Sequence, residues 1–121
     1  MWIYDRFTGV LRRGTLYVYK GCYAGHGAGL NNTAMQNVHD IGPLPAAIYD
    51  MTAIVNSPHT GQQTIVLKMR AGYEDFGRDG FRIHGDNGKG DKSASNGCII
   101  QDGAANRLVV WNSGDHVLQV V

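Results

Sequence analysis

Seventeen glycines against three prolines cut this 121-residue chain into short apolar runs. Short runs that alternate, or are rich in aromatic and β-branched residues, are strand signals when glycine bounds them. The pattern predicts a mostly β domain: a compact, mainly antiparallel sandwich or open barrel with one or two short helices. Trp2-Ile3-Tyr4 and Val10-Leu11 flank a first hairpin with Gly9 near its reversal. Thr15–Lys20, Ala47–Ile54, Thr64–Met69, Phe81–His84, Cys98–Ile100 and His116–Val121 read as further strands. A helical turn is expected within Thr33–His39. A short helix is expected after Asp102, with Asp102 as its cap and Ala105, Leu108, Val109 and Trp111 as its apolar positions. The glycine-laden stretch from Gly21 to Asn32, Asn56–Gln62, Gly72–Gly80 and Asp86–Ser95 are loops, the last expected to be mobile and exposed.

With no internal repeat or linker, residues 1–121 form a single domain. An apolar fraction of 43% is enough for a core, and a chain of this length buries roughly two-thirds of its unfolded surface. Eleven basic and ten acidic residues are mixed along the chain, giving a net charge of +1. Nucleic-acid binding needs a clustered basic face, so no nucleic-acid partner is expected. No apolar stretch approaches the roughly 20 residues of a membrane span, so no membrane insertion is expected. The opening Met1-Trp2-Ile3-Tyr4-Asp5-Arg6 lacks the basic-then-apolar layout of a Sec signal.

Chemistry concentrates in Phe81-Arg82-Ile83-His84-Gly85-Asp86 and Ser95-Asn96-Gly97-Cys98-Ile99-Ile100. A cysteine opening an apolar run after glycine is well placed as a nucleophile, and a histidine can make it a thiolate by ion pairing or by taking its proton. Strands carrying His84 and Cys98 can lie side by side. Gly97 and Gly85 leave room for a substrate backbone, and the amides of Gly97 and Cys98 are candidate oxyanion donors. The Gly85 carbonyl and the Asp86 carboxylate are alternative orienters of His84. Ser95 and Asn96 offer polar groups to the scissile carbonyl, and His26 can approach the cleft from its glycine loop. Gly25-His26-Gly27-Ala28-Gly29 lacks the Lys-Ser/Thr of a phosphate loop and reads as a turn or cleft rim. His39, His59 and His116 read as surface residues. The histidines and the two cysteines, Cys22 and Cys98, fit no metal spacing, and neither metal nor cofactor is expected. Cys22 reads as a buried small residue, and the nucleophile reading requires Cys98 to be a free thiol.

At these residues the chain resembles the L,D-transpeptidase catalytic domain, often called YkuD-like. His84-Gly85 matches that family's histidine-glycine element, and Ser95-Asn96-Gly97-Cys98 matches its cysteine element. The resemblance is closer to small L,D-transpeptidase-like toxins delivered by type VI secretion. It extends through Tyr4-Asp5, Thr8-Gly9, Gly25–Gly29, Asn31-Asn32, Gly42-Pro43-Leu44-Pro45, Phe81–Asp86, Ser93–Ile100 and Trp111–Asp115. Two positions depart from the family pattern: Asn96 replaces a histidine, and Ile99-Ile100-Gln101 lacks the arginine that usually follows the cysteine. Arg82, Arg78 and Arg107 are the arginines that can bind a carboxylate instead, against the alternative that each is a solvated surface residue.

The resemblance implies a peptidoglycan-targeting cysteine enzyme acting on tetrapeptide stems through a thioester. Trimming as an L,D-carboxypeptidase, exchange with a D-amino acid, and transpeptidation are its outcomes. It also implies an antibacterial effector that reaches the periplasm of a target bacterium without a Sec signal, with an immunity protein and a secretion adaptor as partners. The residues alone leave two rivals: a cysteine peptidase or amidase of another specificity, and a non-catalytic cell-wall-binding or phage structural module. A poised Cys98 is expected to react with a thiol probe faster than an ordinary thiol at about pH 6 to 7.

Overall fold

The computed structural model describes residues 1–121. One curled sheet of nine strands forms a half-barrel. In chain order the strands are β1 (Trp2–Asp5), β2 (Val10–Arg13), β3 (Tyr17–Tyr19), β4 (Tyr23–Ala24), β5 (Ala47–Ser57), β6 (Gly61–Met69), β7 (Arg82–His84), β8 (Ile99–Ile100) and β9 (Val117–Val120). Across the sheet they run β3-β2-β1-β9-β5-β6-β7-β8-β4. Of the expected architectures, the chain builds the open, curled one. Most neighbours are antiparallel, while β1–β9 and β7–β8 are parallel.

The last strand is central. Its Leu118 and Val120 enter the core between β1 and β5, where Trp2, Tyr4 and Tyr49 are also buried. Each of these strands alternates, as a sheet with one core-facing side requires. In β5 the alternation breaks after Met51, where a bulge shifts the register against β6. Bulges increase local twist. Beyond this one, the β5–β6 hairpin runs to an exposed tip at Pro58 and His59.

The helix α1 (Ala104–Asn112) packs against β6 and β7. Its cap is Gly103, not Asp102: Gly103 adopts φ +85°, and the Asn106 amide reaches back to the Asp102 carbonyl (3.2 Å). The helix buries Val110 and Arg107, whereas Val109 is exposed and Leu108 and Trp111 are half-buried. The expected apolar face was therefore rotated by about one position. The strand expected from Thr15 begins at Tyr17, because Gly14 at φ +59° closes the β2–β3 turn and leaves Leu16 in solvent.

Leu118 is fully buried between β1 from the start of the chain and β5 from its middle. Leu118→Ala is expected to lower stability by about 2 to 5 kcal/mol, read as a reduced midpoint in urea unfolding.

Candidate active site

The site is built on the parallel pair β7–β8, in which Ile83 lies opposite Ile99 and His84 opposite Ile100. Ile83 and Ile99 are fully buried in the core. Alternation turns Arg82 and His84 to the other face of β7, and Cys98, one residue before β8, to that same face. His84 on β7 and Cys98 just before β8 are thus diagonal neighbours. Both line a cleft of about 450 Å³, with His39, Asp40, His59, Arg78, Asp79 and Phe81 among its walls. A second cavity of about 440 Å³ meets His84 from the Asp86, Asn87 and Ser93 side, sharing His59, Thr60, Ala94 and Asn96 with the first. His39 and His59 are exposed, as expected, but both belong to the cleft rim. No local motif signals this, because they reach the cleft through the loop before Gly42 and the tip of the β5–β6 hairpin.

His84 is buried, and its Nδ1–H donates to the Gly85 carbonyl at 2.9 Å. That bond selects the tautomer with Nε2 unprotonated. Between the two candidate orienters, the structure chooses the Gly85 carbonyl. Asp86 is engaged elsewhere, accepting from the Tyr23 hydroxyl (2.9 Å) and the Asn87 amide (2.8 Å). The same Tyr23 hydroxyl accepts from the Ala94 amide (3.2 Å), so one buried tyrosine clasps both ends of the 86–95 loop.

Ser95 does not present its hydroxyl to the cleft. Fully buried, its Oγ accepts from the amides of Gly25 (2.8 Å) and Gly97 (3.0 Å) and donates to the Cys98 carbonyl (2.6 Å). The Gly97 amide is consumed in this way, so of the expected pair only the Cys98 amide is left without a partner. His26 likewise lies outside both cavities, with its Nδ1 at 2.7 Å from the Ser95 carbonyl. The glycine run around it is a packing surface: a Cβ on Gly25 would stand 2.4 Å from the Gly29 carbonyl oxygen. Asn96 is exposed and lines both cavities, in reach of a ligand.

Gly97 has φ +141°, a conformation that favours glycine. Its missing side chain makes room for protein rather than for a substrate backbone, since a Cβ there would stand 2.5 Å from Arg78 Nη2. Arg78 and Arg107 are buried, so the surface alternative fails for both. The terminal nitrogens of Arg78 donate to the carbonyls of Gln36, Pro43, Gly42 and Asn96. Arg107 donates to those of Gln62, Gln63 and Gln101. Arg82 is half-buried and lines neither cavity.

Both cysteines are free. Cys22 is buried, and burial pushes its thiol up to about 11. Burial also pushes the Cys98 thiol up, against the opposing pull of the Arg82 amide and of the Arg82 and Arg78 charges. The His84 imidazole is held below its ordinary value by burial, assisted by the Arg107 and Arg82 charges and opposed by Gly85 and Asp86. Both shifts favour the uncharged forms, thiol and neutral imidazole. The Cys98 Sγ–H donates to the Gly80 carbonyl (3.8 Å) and makes no hydrogen bond with His84; a thiol shifted upward gives no reason to expect fast labelling at mildly acid pH.

The Tlde1 domain family model matches residues 19–120. The chain belongs to the Tlde1 domain family. These are L,D-transpeptidase effectors of type VI secretion. A search of curated proteins finds no match. The match spans β4 through β9 and both motifs, while β1 and β2 precede it. No helix is long and apolar enough to cross a membrane.

The directions of these two shifts fix the sign of a pH experiment. Thiolate forms as pH rises through the thiol's value, and here that value is raised. Alkylation of Cys98 in the free Tlde1-family protein is expected to show a midpoint above the ordinary thiol value of about 8.5, measured by iodoacetamide rate against pH. The His84 shift acts on stability at the other end. Stability is complete above the unfolded value of about 6.5 and falls as pH drops from there towards the lower folded value, because the unfolded chain takes up the proton first.

Proposed function

We propose that this chain is a cysteine acyl-transfer enzyme that attacks the tetrapeptide stem of peptidoglycan in a target bacterium's periplasm. The observation that carries the reading is the diagonal placement of His84 on β7 and Cys98 just before β8 at one cleft, with Nδ1 bonded to the Gly85 carbonyl and Nε2 bare. Membership of an L,D-transpeptidase effector family supports the substrate class.

In this reading the Cys98 thiol attacks the amide carbonyl between the L-centre of diaminopimelate and the terminal D-alanine. His84 Nε2 takes the thiol proton as the S–C bond forms. The amide oxygen becomes an oxyanion facing the free Cys98 N–H. The imidazolium then protonates the leaving amine, the C–N bond breaks, D-alanine departs, and a thioester remains on Cys98. Neutral His84 next deprotonates the incoming acceptor, and the tetrahedral adduct collapses to free Cys98. Water gives trimming, a D-amino acid gives exchange, and a second stem's amine gives a cross-link. Trimming and exchange consume the donor stems that ordinary cross-linking needs, which is how such an enzyme would harm a cell. The immunity protein and secretion adaptor implied by an effector of this kind belong to the same proposal.

The test is D-alanine release from tetrapeptide muropeptides in reducing buffer. Cys98→Ala is expected to abolish release, and His84→Ala to fold normally and lose roughly 10³-fold or more. Release that survives Cys98→Ala contradicts the reading, as does a wild-type rate in His84→Ala.

A further inference from the structure

Arg78 lies twenty residues before Cys98 in sequence, yet with Ser95 it grips the main chain leading into it. Its Nη1 donates to the carbonyls of Gln36 (2.7 Å) and Pro43 (2.8 Å), and its Nη2 to those of Gly42 (2.9 Å) and Asn96 (3.1 Å). The guanidinium carbon stands 5.4 Å from the centre of the Phe81 ring, one residue before β7. One planar group thus joins the 36–43 segment, the start of β7 and the residue two before the nucleophile. The Leu44 amide adds a bond to the Gly97 carbonyl (2.9 Å), so the peptides on either side of Gly97 are both held to this segment. Gly97 has no side chain where Nη2 passes, and any Cβ there would displace the guanidinium. With its terminal donors on main-chain carbonyls, Arg78 is not free to clamp a substrate carboxylate.

We propose that Arg78 is a positioning residue for the nucleophile: its guanidinium fork locks the Asn96–Gly97 main chain against the 42–44 segment and so aims the Cys98 amide and thiol into the cleft. This rests on the reading of Cys98 as nucleophile. It assigns a role to an arginine in a chain whose cysteine is followed by Ile99-Ile100-Gln101. The charge helps as well as the fork. Arg78 and Arg82 are the cations that favour the Cys98 thiolate, and neither is paired with a carboxylate. Lysine keeps a charge but cannot reproduce a planar fork across several carbonyls.

Two variants separate the parts. In Arg78→Gln the charge is lost, and the midpoint of Cys98 alkylation against pH is expected to rise by about 0.5 unit or more. In Arg78→Lys the midpoint is expected to stay near wild type, while kcat for D-alanine release falls about tenfold or more with KM changing less. A merely structural arginine would lower the melting temperature and leave both readouts of the folded protein unmoved. Folding is checked by circular dichroism, and if Arg78→Gln does not fold, kcat in Arg78→Lys decides. A wild-type alkylation profile in folded Arg78→Gln, or a wild-type kcat in Arg78→Lys, overturns the proposal. The alkylation profile needs no substrate, so it reads Arg78 even where the peptidoglycan reading fails.

Discussion

Everything at the site depends on a parallel pairing between two very short strands, β7 with three residues and β8 with two. So short a ladder supplies few hydrogen bonds, and parallel pairing is slightly weaker per residue than antiparallel. Reactive side chains on such strands need their positions fixed from outside the ladder. Core burial of Ile83 and Ile99 sets the face. Buried polar groups set the rest: Ser95 holds Gly25, Gly97 and Cys98 together, and the Gln101 amide bonds the His84 carbonyl just past the pair.

The glycine-rich loops create the problem that the buried arginines solve. Irregular backbone leaves carbonyls without ladder partners, and a buried carbonyl left unpaired is costly. Arg6, Arg78 and Arg107 are all buried and all donate to main-chain carbonyls. The ion pairs with carboxylates lie elsewhere, at Asp115 and Asp50. Burying a cation is expensive unless its donors are satisfied. Here each guanidinium recovers that cost by serving several carbonyls at once, which a lysine could not do with the same geometry.

Strand identity was legible because burial follows a period of two in β1 and the first half of β5. That the runs carrying His84 and Cys98 become neighbours was legible as well, since two apolar runs joined by a polar loop can pair; the thiol's bond to the Gly80 carbonyl was not. What stayed hidden depends on contacts distant in sequence. Ser95 looks like a substrate contact until Gly25, seventy residues away, is seen to donate to it. Gly97 looks like space for a ligand until Arg78 is found filling it. Tyr23 carries no motif, yet it closes the 86–95 loop. Asp102 is a sound cap by residue type, but Gly103 can adopt the positive φ that the entry into α1 takes. The direction of protonation was hidden for a related reason: the sequence leaves ion pairing and direct proton transfer both open, and burial favours the uncharged form of each group.

The central claim is that Cys98, aimed by this framework and served by His84, becomes acylated by a peptide stem. Intact-mass analysis of protein quenched in acid during turnover of a tetrapeptide muropeptide tests it most directly. The expected result is an adduct equal to the stem minus D-alanine, mapped to the Cys98 peptide, removed by hydroxylamine and absent in Cys98→Ala. D-alanine release with no such adduct on Cys98, or an adduct on another residue, would contradict the account.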